Sequence, residues 1–235
     1  MFIKELLERL LNQKIRKYSY KYRLQNLIKD YEVSAIIDVG ANTGQFVLWS
    51  QSTFCGNVKS VYSFEPLLLA YNELRRNSLK SVFSFEWKVF NLALSNKNSI
   101  SWINVSSGDG TSSSLHDLLE NSRVSNSGRE QVELKTFDSL QLDLSLHQSL
   151  LVKIDVQGHE MSVLLGMKDF LDSRRPLVLL EVSNVSSYQE NHSLLDYLKF
   201  FESIRYELLW IEHNILDVTI DREWDVCLVP KTSIF

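Results

Sequence analysis

The sequence predicts an α/β domain whose mostly parallel sheet is covered by helices on both faces. Three observations carry that prediction. Short apolar runs alternate with helical patterns from residue 35 to 94 and again from residue 149, the order that crossover-linked parallel strands require. Ala35-Ile36-Ile37-Asp38-Val39-Gly40-Ala41-Asn42-Thr43-Gly44, followed by Gln45-Phe46-Val47-Leu48-Trp49-Ser50, reads as strand, tight turn and helix. That geometry brings backbone N–H groups and a helix start up to a nucleotide-like ligand. Two late apolar runs, 206–211 and 225–229, stand close enough to pair as an antiparallel end to the sheet.

Taken in order, residues 1–30 hold apolar positions at helical spacing with no breaker and read as helix. Strand 35–39 leads to helix 44–52, strand 58–64 to helix 67–78, and strand 82–90 follows. Pro66, directly after Glu65, suits the first turn of the helix behind it. Residues 100–105 form an extra strand. A polar middle comes next: 106–114 is rich in hydroxyls and glycine, and 121–128 is again loop-like. It is either a linker or a place where binding groups collect. Alternation resumes at 131–136, then buried strand 149–155, helix 158–171, buried strand 176–181 and helix 192–201. No internal repeat or low-complexity tract is present.

With 235 residues and 44% hydrophobic content the chain fills one α/β domain rather than two. Only 8 Gly and 3 Pro exclude a collagen-like or disordered chain. The net charge of −4 points to no polyanionic partner, so no nucleic acid is expected. Charge is uneven: residues 1–30 hold eight basic and three acidic side chains, the remainder 17 and 26. The expected organisation is therefore a basic helical extension, 1–30, and a domain over 31–235. The extension either lies on an anionic membrane surface or a partner, or packs on the domain through Phe2, Leu6, Leu7, Leu10 and Leu11. Lys4, Glu5, Glu8 and Arg9 break its apolar start, so it reads as neither a signal peptide nor a membrane span. Cys55 and Cys227 make no metal spacing and fit buried or free thiols in a reducing compartment. The expected location is cytoplasmic, or the inner face of a membrane. The sequons at Asn104, Asn184 and Asn191 are then fortuitous.

The Gly40 turn lacks the G-x-G-x-x-G spacing of a nicotinamide or flavin site, having Gly40 and Gly44 alone. Asp38 beside it would oppose a diphosphate but suits the sulfonium or amino group of S-adenosylmethionine. Glu65, twenty-one residues beyond Gly44 and closing the next strand, is placed to accept hydrogen bonds from a ribose diol. Asn91-Leu92-Ala93-Leu94 follows the third strand, where a base would lie; an ordinary strand exit is the alternative. The expected cofactor set is Asp38, Gly40, Ala41, Asn42, Gly44, Glu65, Asn91 and Ala93, with S-adenosylmethionine preferred to NAD.

Six blocks in order resemble the FkbM family of methyltransferases. They are Asp38-Val39-Gly40-Ala41-Asn42-Thr43-Gly44-Gln45-Phe46, Val61-Tyr62-Ser63-Phe64-Glu65-Pro66, Asn91-Leu92-Ala93-Leu94-Ser95, Thr136-Phe137-Asp138-Ser139-Leu140, Val152-Lys153-Ile154-Asp155-Val156-Gln157-Gly158-His159-Glu160, and Glu181 after an apolar strand. The resemblance spans roughly residues 33–210. It implies a Rossmann-like class I methyltransferase fold, with a mostly parallel seven-stranded sheet and an antiparallel last strand. It also implies S-adenosylmethionine as methyl donor, and an O-methyltransferase acting on a hydroxyl of a sugar, glycan or polyketide-like natural product. Substrate choice does not carry over.

In such a sheet the ligand crevice lies beyond the carboxyl ends of the strands. Asp38, Glu65, Asp155 and Glu181 fall there, the last two where an acceptor would sit. Base candidates are Asp155, His159, Glu160, Glu181 and His192, with Asp155 first because it closes a buried strand. Lys153, two residues earlier, shares its sheet face and either keeps Asp155 ionised or binds the acceptor. The expected catalytic set is Asp155, Glu160, Glu181 and Lys153. Asp155, Glu181 and Asn184 offer oxygen ligands to a divalent metal, but the spacing does not demand one. Two other functions fit the class: a nucleotide-dependent oxidoreductase, and a non-catalytic module binding a glycan or a partner. The oligomeric state is not encoded in any of these patterns.

Overall fold

Strands that are apolar at nearly every position form the centre of the sheet. In this computed structural model, which describes residues 20–54, 56–80, 83–106, 126–183, 192, 194–211 and 223–231, β1 (Ala35–Val39) and β2 (Ser60–Phe64) are buried throughout. That burial pattern belongs to parallel strands covered on both faces. With β3 (Glu86–Phe90), β7 (Leu150–Ile154), β8 (Leu177–Ser183), β9 (Tyr206–Ile211) and β10 (Glu223–Pro230) they make a seven-stranded sheet of order β3-β2-β1-β7-β8-β10-β9. Strands β3, β2, β1, β7 and β8 run parallel, and β10 is antiparallel to both its neighbours. The expected sheet and its reversed last strand are present.

Alternate side chains serve the two faces. Ile36, Val61, Leu151, Leu179 and Cys227 meet Leu24, Leu27 and Ile28 of helix α1 (20–30) and Val47 of α2 (Gln45–Ser50). On the other side Ile37, Tyr62, Val152 and Leu180 meet α4 (Glu160–Gly166), α5 (Lys168–Arg174) and α6 (Leu194–Ser203) through Leu164, Leu171 and Phe201. Cys227 is a buried free thiol. Cys55, the apolar residues 2–11 and the hydroxyl-rich stretch 107–114 lie outside the described residues.

The polar middle forms a second sheet, β4 (Ala93–Leu94), β6 (Asn126–Lys135) and β5 (Ser99–Ser106) in that order. Ile103, Val132 and Leu134 on its inner side pack with Ala93 and with Leu67, just ahead of α3 (Leu68–Lys80). Strand β6 begins at Asn126, inside the stretch expected as loop, because Ser106 pairs with Asn126 across a register shift. The expected helix 158–171 is two helices broken at Met167 (φ −123°, ψ 18°). The second has its own start. Asp138 accepts from the Asp169 and Phe170 N–H groups at 3.1 and 2.9 Å, satisfying amides a continuous helix would have bonded internally. At Gly166 a Cβ would lie 1.9 Å from the Ser95 carbonyl oxygen, so α4 and the chain leaving β4 touch main chain to main chain. Strand β3 is shorter than the expected 82–90: Phe83 and Phe85, stacked at 4.9 Å, lie ahead of its ladder.

Strand order reverses between β1 and β7. Such a reversal opens a crevice at the carboxyl ends of the strands.

Candidate active site

The crevice is built by the turns that leave β1, β2 and β7. Gly40 has φ +79°, and a Cβ there would stand 1.8 Å from the Asp155 carbonyl oxygen. The turn after β1 thus lies directly on the one after β7. The Gly40 and Ala41 N–H groups both donate to the Phe64 carbonyl, at 3.1 and 3.0 Å, tying this turn to the end of β2. Gly44 (φ +87°) caps α2, and a Cβ there would come within 2.9 Å of Leu74 and Trp87. Both glycines are required by packing within the protein. Asn42, at φ +49°, directs its N–H to Glu65 Oε2 at 2.9 Å.

Glu65 also accepts from the Leu67 N–H through Oε1 at 2.9 Å. The side chain is 6% exposed. Burial pushes its carboxyl up to about 7 against the pull of those two amide bonds. Asp38 is fully buried and stands in register between Ser63 and Lys153 on the flanking strands. Trp87 Nε1–H donates to Ser63 Oγ at 2.9 Å, and the Ser63 hydroxyl donates to Asp38 Oδ2 at 3.4 Å. Asp38 Oδ1, 4.0 Å from Lys153 Nζ, has no hydrogen-bond partner, and neither has the buried Asn42 Oδ1. Burial pushes the Asp38 carboxyl up to about 6, with Lys153 opposing.

The other two expected cofactor residues make their contacts within the protein. Asn91 donates its amide to the Glu65 and Pro66 carbonyls at 3.0 and 2.8 Å, holding the loop that presents Glu65. Ala93 is buried in the second sheet beside Leu67.

On the β7 side Lys153 Nζ donates to Asp155 Oδ2 at 2.9 Å and lies 5.4 Å from the Phe46 ring centre. Burial works to raise the Asp155 carboxyl. Lys153, together with side-chain hydrogen bonding that involves Glu181 and the Gln157 amide, overcomes that and holds it well below the usual carboxylate range. Burial likewise opposes the Lys153 charge, yet Asp155 and Asp38 raise its pKa above the ordinary value. Gln157, at φ +53°, donates from Nε2 to Asp155 Oδ1 at 3.1 Å and to Glu181 Oε2 at 3.3 Å. Glu181 lies within β8, and Asp225 of β10 pairs directly across from it.

Sequence reasoning singled out neither Gln157 nor Asp225. Asp225 carried no local signal: it closes the charged stretch Asp221-Arg222-Glu223 and Trp224, just ahead of the apolar Val226-Cys227-Leu228-Val229. Glu160, 3% exposed, turns its Oε1 back to the Gly158 and Val156 N–H groups at 2.9 and 3.4 Å. Its carboxylate shapes the turn. His159 Nε2 lies 3.0 Å from Ser95 Oγ. His192 precedes α6, and Asn184 lies outside the described residues. Among the described residues no group of three His, Cys, Asp or Glu side chains is arranged to hold a metal ion, and no helix is long and apolar enough to cross a membrane.

The comparisons with known proteins agree with this architecture. Residues 38–208 match the methyltransferase FkbM domain. Among solved structures, the chain is similar to a methyltransferase FkbM from Methylobacillus flagellatus KT, at 18% identity and a TM-score of 0.55 over 84% of this chain. It spans only 43% of that protein's length. A protein of the NADB-Rossmann superfamily from Streptococcus agalactiae aligns at 9% identity and a TM-score of 0.49, over 89% of this chain and 66% of that one. Magnesium protoporphyrin IX methyltransferase from Synechocystis PCC 6803, solved with bound S-adenosylmethionine, aligns at 11% identity and a TM-score of 0.48, over 94% and 81%. No curated protein matches. The domain match covers the Gly40 turn, Glu65, the Lys153–Asp155 pair and Glu181, and sets aside the oxidoreductase reading: the chain belongs to the FkbM family of methyltransferases.

Proposed function

We propose that the chain transfers a methyl group from S-adenosylmethionine to a hydroxyl of a sugar, glycan or related natural-product acceptor. The observation that carries the first half is the pair of buried acceptors without donors, Asp38 Oδ1 and Asn42 Oδ1, on either side of the Gly40 turn. Orphaned buried acceptors are costly, and a ligand with an ammonium and hydroxyl donors suits them. Asp38, Ala41 and Asn42 would hold the cofactor beside the turn that Gly40 and Gly44 permit, and Glu65 its ribose diol. Asn91 and Ala93 would contribute by fixing the Glu65 loop.

When bound, S-adenosylmethionine supplies a methyl group already activated on sulfonium. What remains for the chain is to align the acceptor oxygen and take its proton. Alignment contributes roughly 7–11 kcal/mol in favourable cases, and a positioned base about 10²–10⁴ in rate. Lys153 keeps Asp155 ionised at neutral pH and fixes one of its oxygens. Asp155 is thereby an acceptor for the substrate hydroxyl proton whose orientation is set before substrate arrives. Glu181, bridged to Asp155 by Gln157, would take a second hydroxyl of a polyol. Glu160 would serve through the shape of the 156–158 turn. No step needs a metal. The basic segment 1–30 would place the enzyme at an anionic membrane surface, where binding should be salt-sensitive and lost on deleting residues 1–19, a truncation that keeps the core residues Leu24, Leu27 and Ile28.

Calorimetry with S-adenosylhomocysteine tests the cofactor half: the folded protein should bind, and Glu65→Ala should lose most of the affinity. Equal binding by that variant would falsify the cofactor assignment. For the acceptor half, Asp155→Asn should keep cofactor affinity and lose methyl transfer to a panel of hydroxylated acceptors. Full turnover would remove Asp155 as the base.

A further inference from the structure

Strand β6 presents alternate residues to the two sides of the second sheet, and Val132 and Leu134 occupy its inner row with Ile103 of β5. The next residue of that row is Glu130, paired with Ile103. A charged side chain interrupts an apolar row there, which is costly unless a partner compensates it. Its partner is the first amide of α3: Leu68 N–H donates to Glu130 Oε1 at 2.7 Å. The preceding amide, Leu67 N–H, donates to Glu65 Oε1 at 2.9 Å. Two successive main-chain amides at the start of a 13-residue helix are thus held by carboxylates from two different elements, and the positive end of the helix favours both.

We infer that Glu130 is a positioning residue for Glu65: by anchoring the first turn of α3 to the second sheet, it sets where the Glu65 carboxylate stands and how tightly a ribose diol is held. This rests on the proposed role of Glu65. The charged groups that face Glu65 are Asp38 from β1 and Glu130 from β6, and both disfavour its ionised form. Neutralising Glu130 therefore lets Glu65 ionise at lower pH, while the Asp38 contribution stays.

The test is S-adenosylhomocysteine affinity by calorimetry between pH 5.5 and 9 for the full chain. In the wild type, affinity rises with pH through the Asp38 titration near 6 and then the Glu65 titration near 7, the upper step being the one read here. Glu130→Gln keeps an oxygen for the Leu68 amide but removes the charge, so the midpoint should move to lower pH with affinity at pH 9 nearly retained. Glu130→Leu completes the apolar row and removes the anchor. Its affinity at pH 9 should fall about threefold to tenfold, the range one displaced hydrogen bond covers. An unmoved midpoint in Glu130→Gln overturns the inference, as does wild-type affinity at pH 9 in Glu130→Leu. If Glu130→Leu does not fold, Glu130→Ala, which removes the same anchor on the Leu68 amide, is read at pH 9 in its place. Glu65→Gln separates this failure from failure of the parent reading: undiminished binding there removes the ribose role itself.

Discussion

Replacing Lys153 with methionine tests the electrostatic frame of the site. Methionine retains an unbranched stem, so little packing is lost beyond the ammonium over the Phe46 ring. What disappears is the ammonium shared by Asp155, at 2.9 Å, and Asp38, at 4.0 Å. The Asp38 side chain is 0% exposed and that of Asp155 30%, so the charge left on Asp38 above all is poorly solvated. Removing one partner of such a buried pair costs about 3–5 kcal/mol. The loss depends on pH in a way that mere cavity formation does not. Asp38 already titrates near 6 with the ammonium in place; without it the carboxyl takes up a proton at neutral pH. At pH 8 the full cost should appear, whereas at pH 5 a protonated Asp38 needs no counter-ion and about 1–2 kcal/mol remains. Urea unfolding of both proteins at the two pH values, with matching m-values, measures the difference. A loss under about 1 kcal/mol at pH 8, or the same loss at both pH values, would refute the reasoning.

Three further outcomes follow from the same geometry. Asp38 and Glu65 titrate at about 6 and about 7, above their ordinary values of 3.8 and 4.5. Each therefore contributes stability that is complete below about pH 4 and is lost as pH rises through its folded value. The unfolding free energy of ligand-free protein should decline between pH 4 and 7.5 in a urea series, and Asp38→Asn should flatten the lower part of that decline. Gly40→Ala forces a methyl group into the Asp155 carbonyl at a positive φ; it should cost roughly 3 kcal/mol or more and shift thermal unfolding accordingly. Asn91→Leu removes two hydrogen bonds from the Glu65 loop, costing about 2 kcal/mol, and should weaken S-adenosylhomocysteine binding without touching Asp155.

The β1 turn was legible because its signals are local. An apolar run, an acid and a glycine at positive φ sit within a few residues, and the second acid closes the adjacent strand. What locality hid was why the glycines are there. Gly40 answers to the Asp155 carbonyl and Gly44 to Leu74 and Trp87, contacts between segments far apart in the chain. Glu160 read as a crevice acid, yet its carboxylate closes on amides only two and four residues back, a fold-back that depends on Gln157 adopting φ +53°. Asp225 joins Glu181 only through the antiparallel register of β10 and β8. The early start of β6 was masked because residues 126–130 include no apolar side chain, the inner-row Glu130 among them. The break at Met167 was masked because Met167, Phe170 and Leu171 keep a helical rhythm across it, while the cap that restarts the helix comes from Asp138, 31 and 32 residues before the amides it holds.

The contact at Gly166 decides how closely the second sheet is seated on the domain. Main chain meets main chain there, so the spacing between α4 and the root of the second sheet is fixed by atomic radii. A residue larger than glycine there would push the second sheet off α4, and Leu67 with the Glu65 loop packed against that sheet would have to follow.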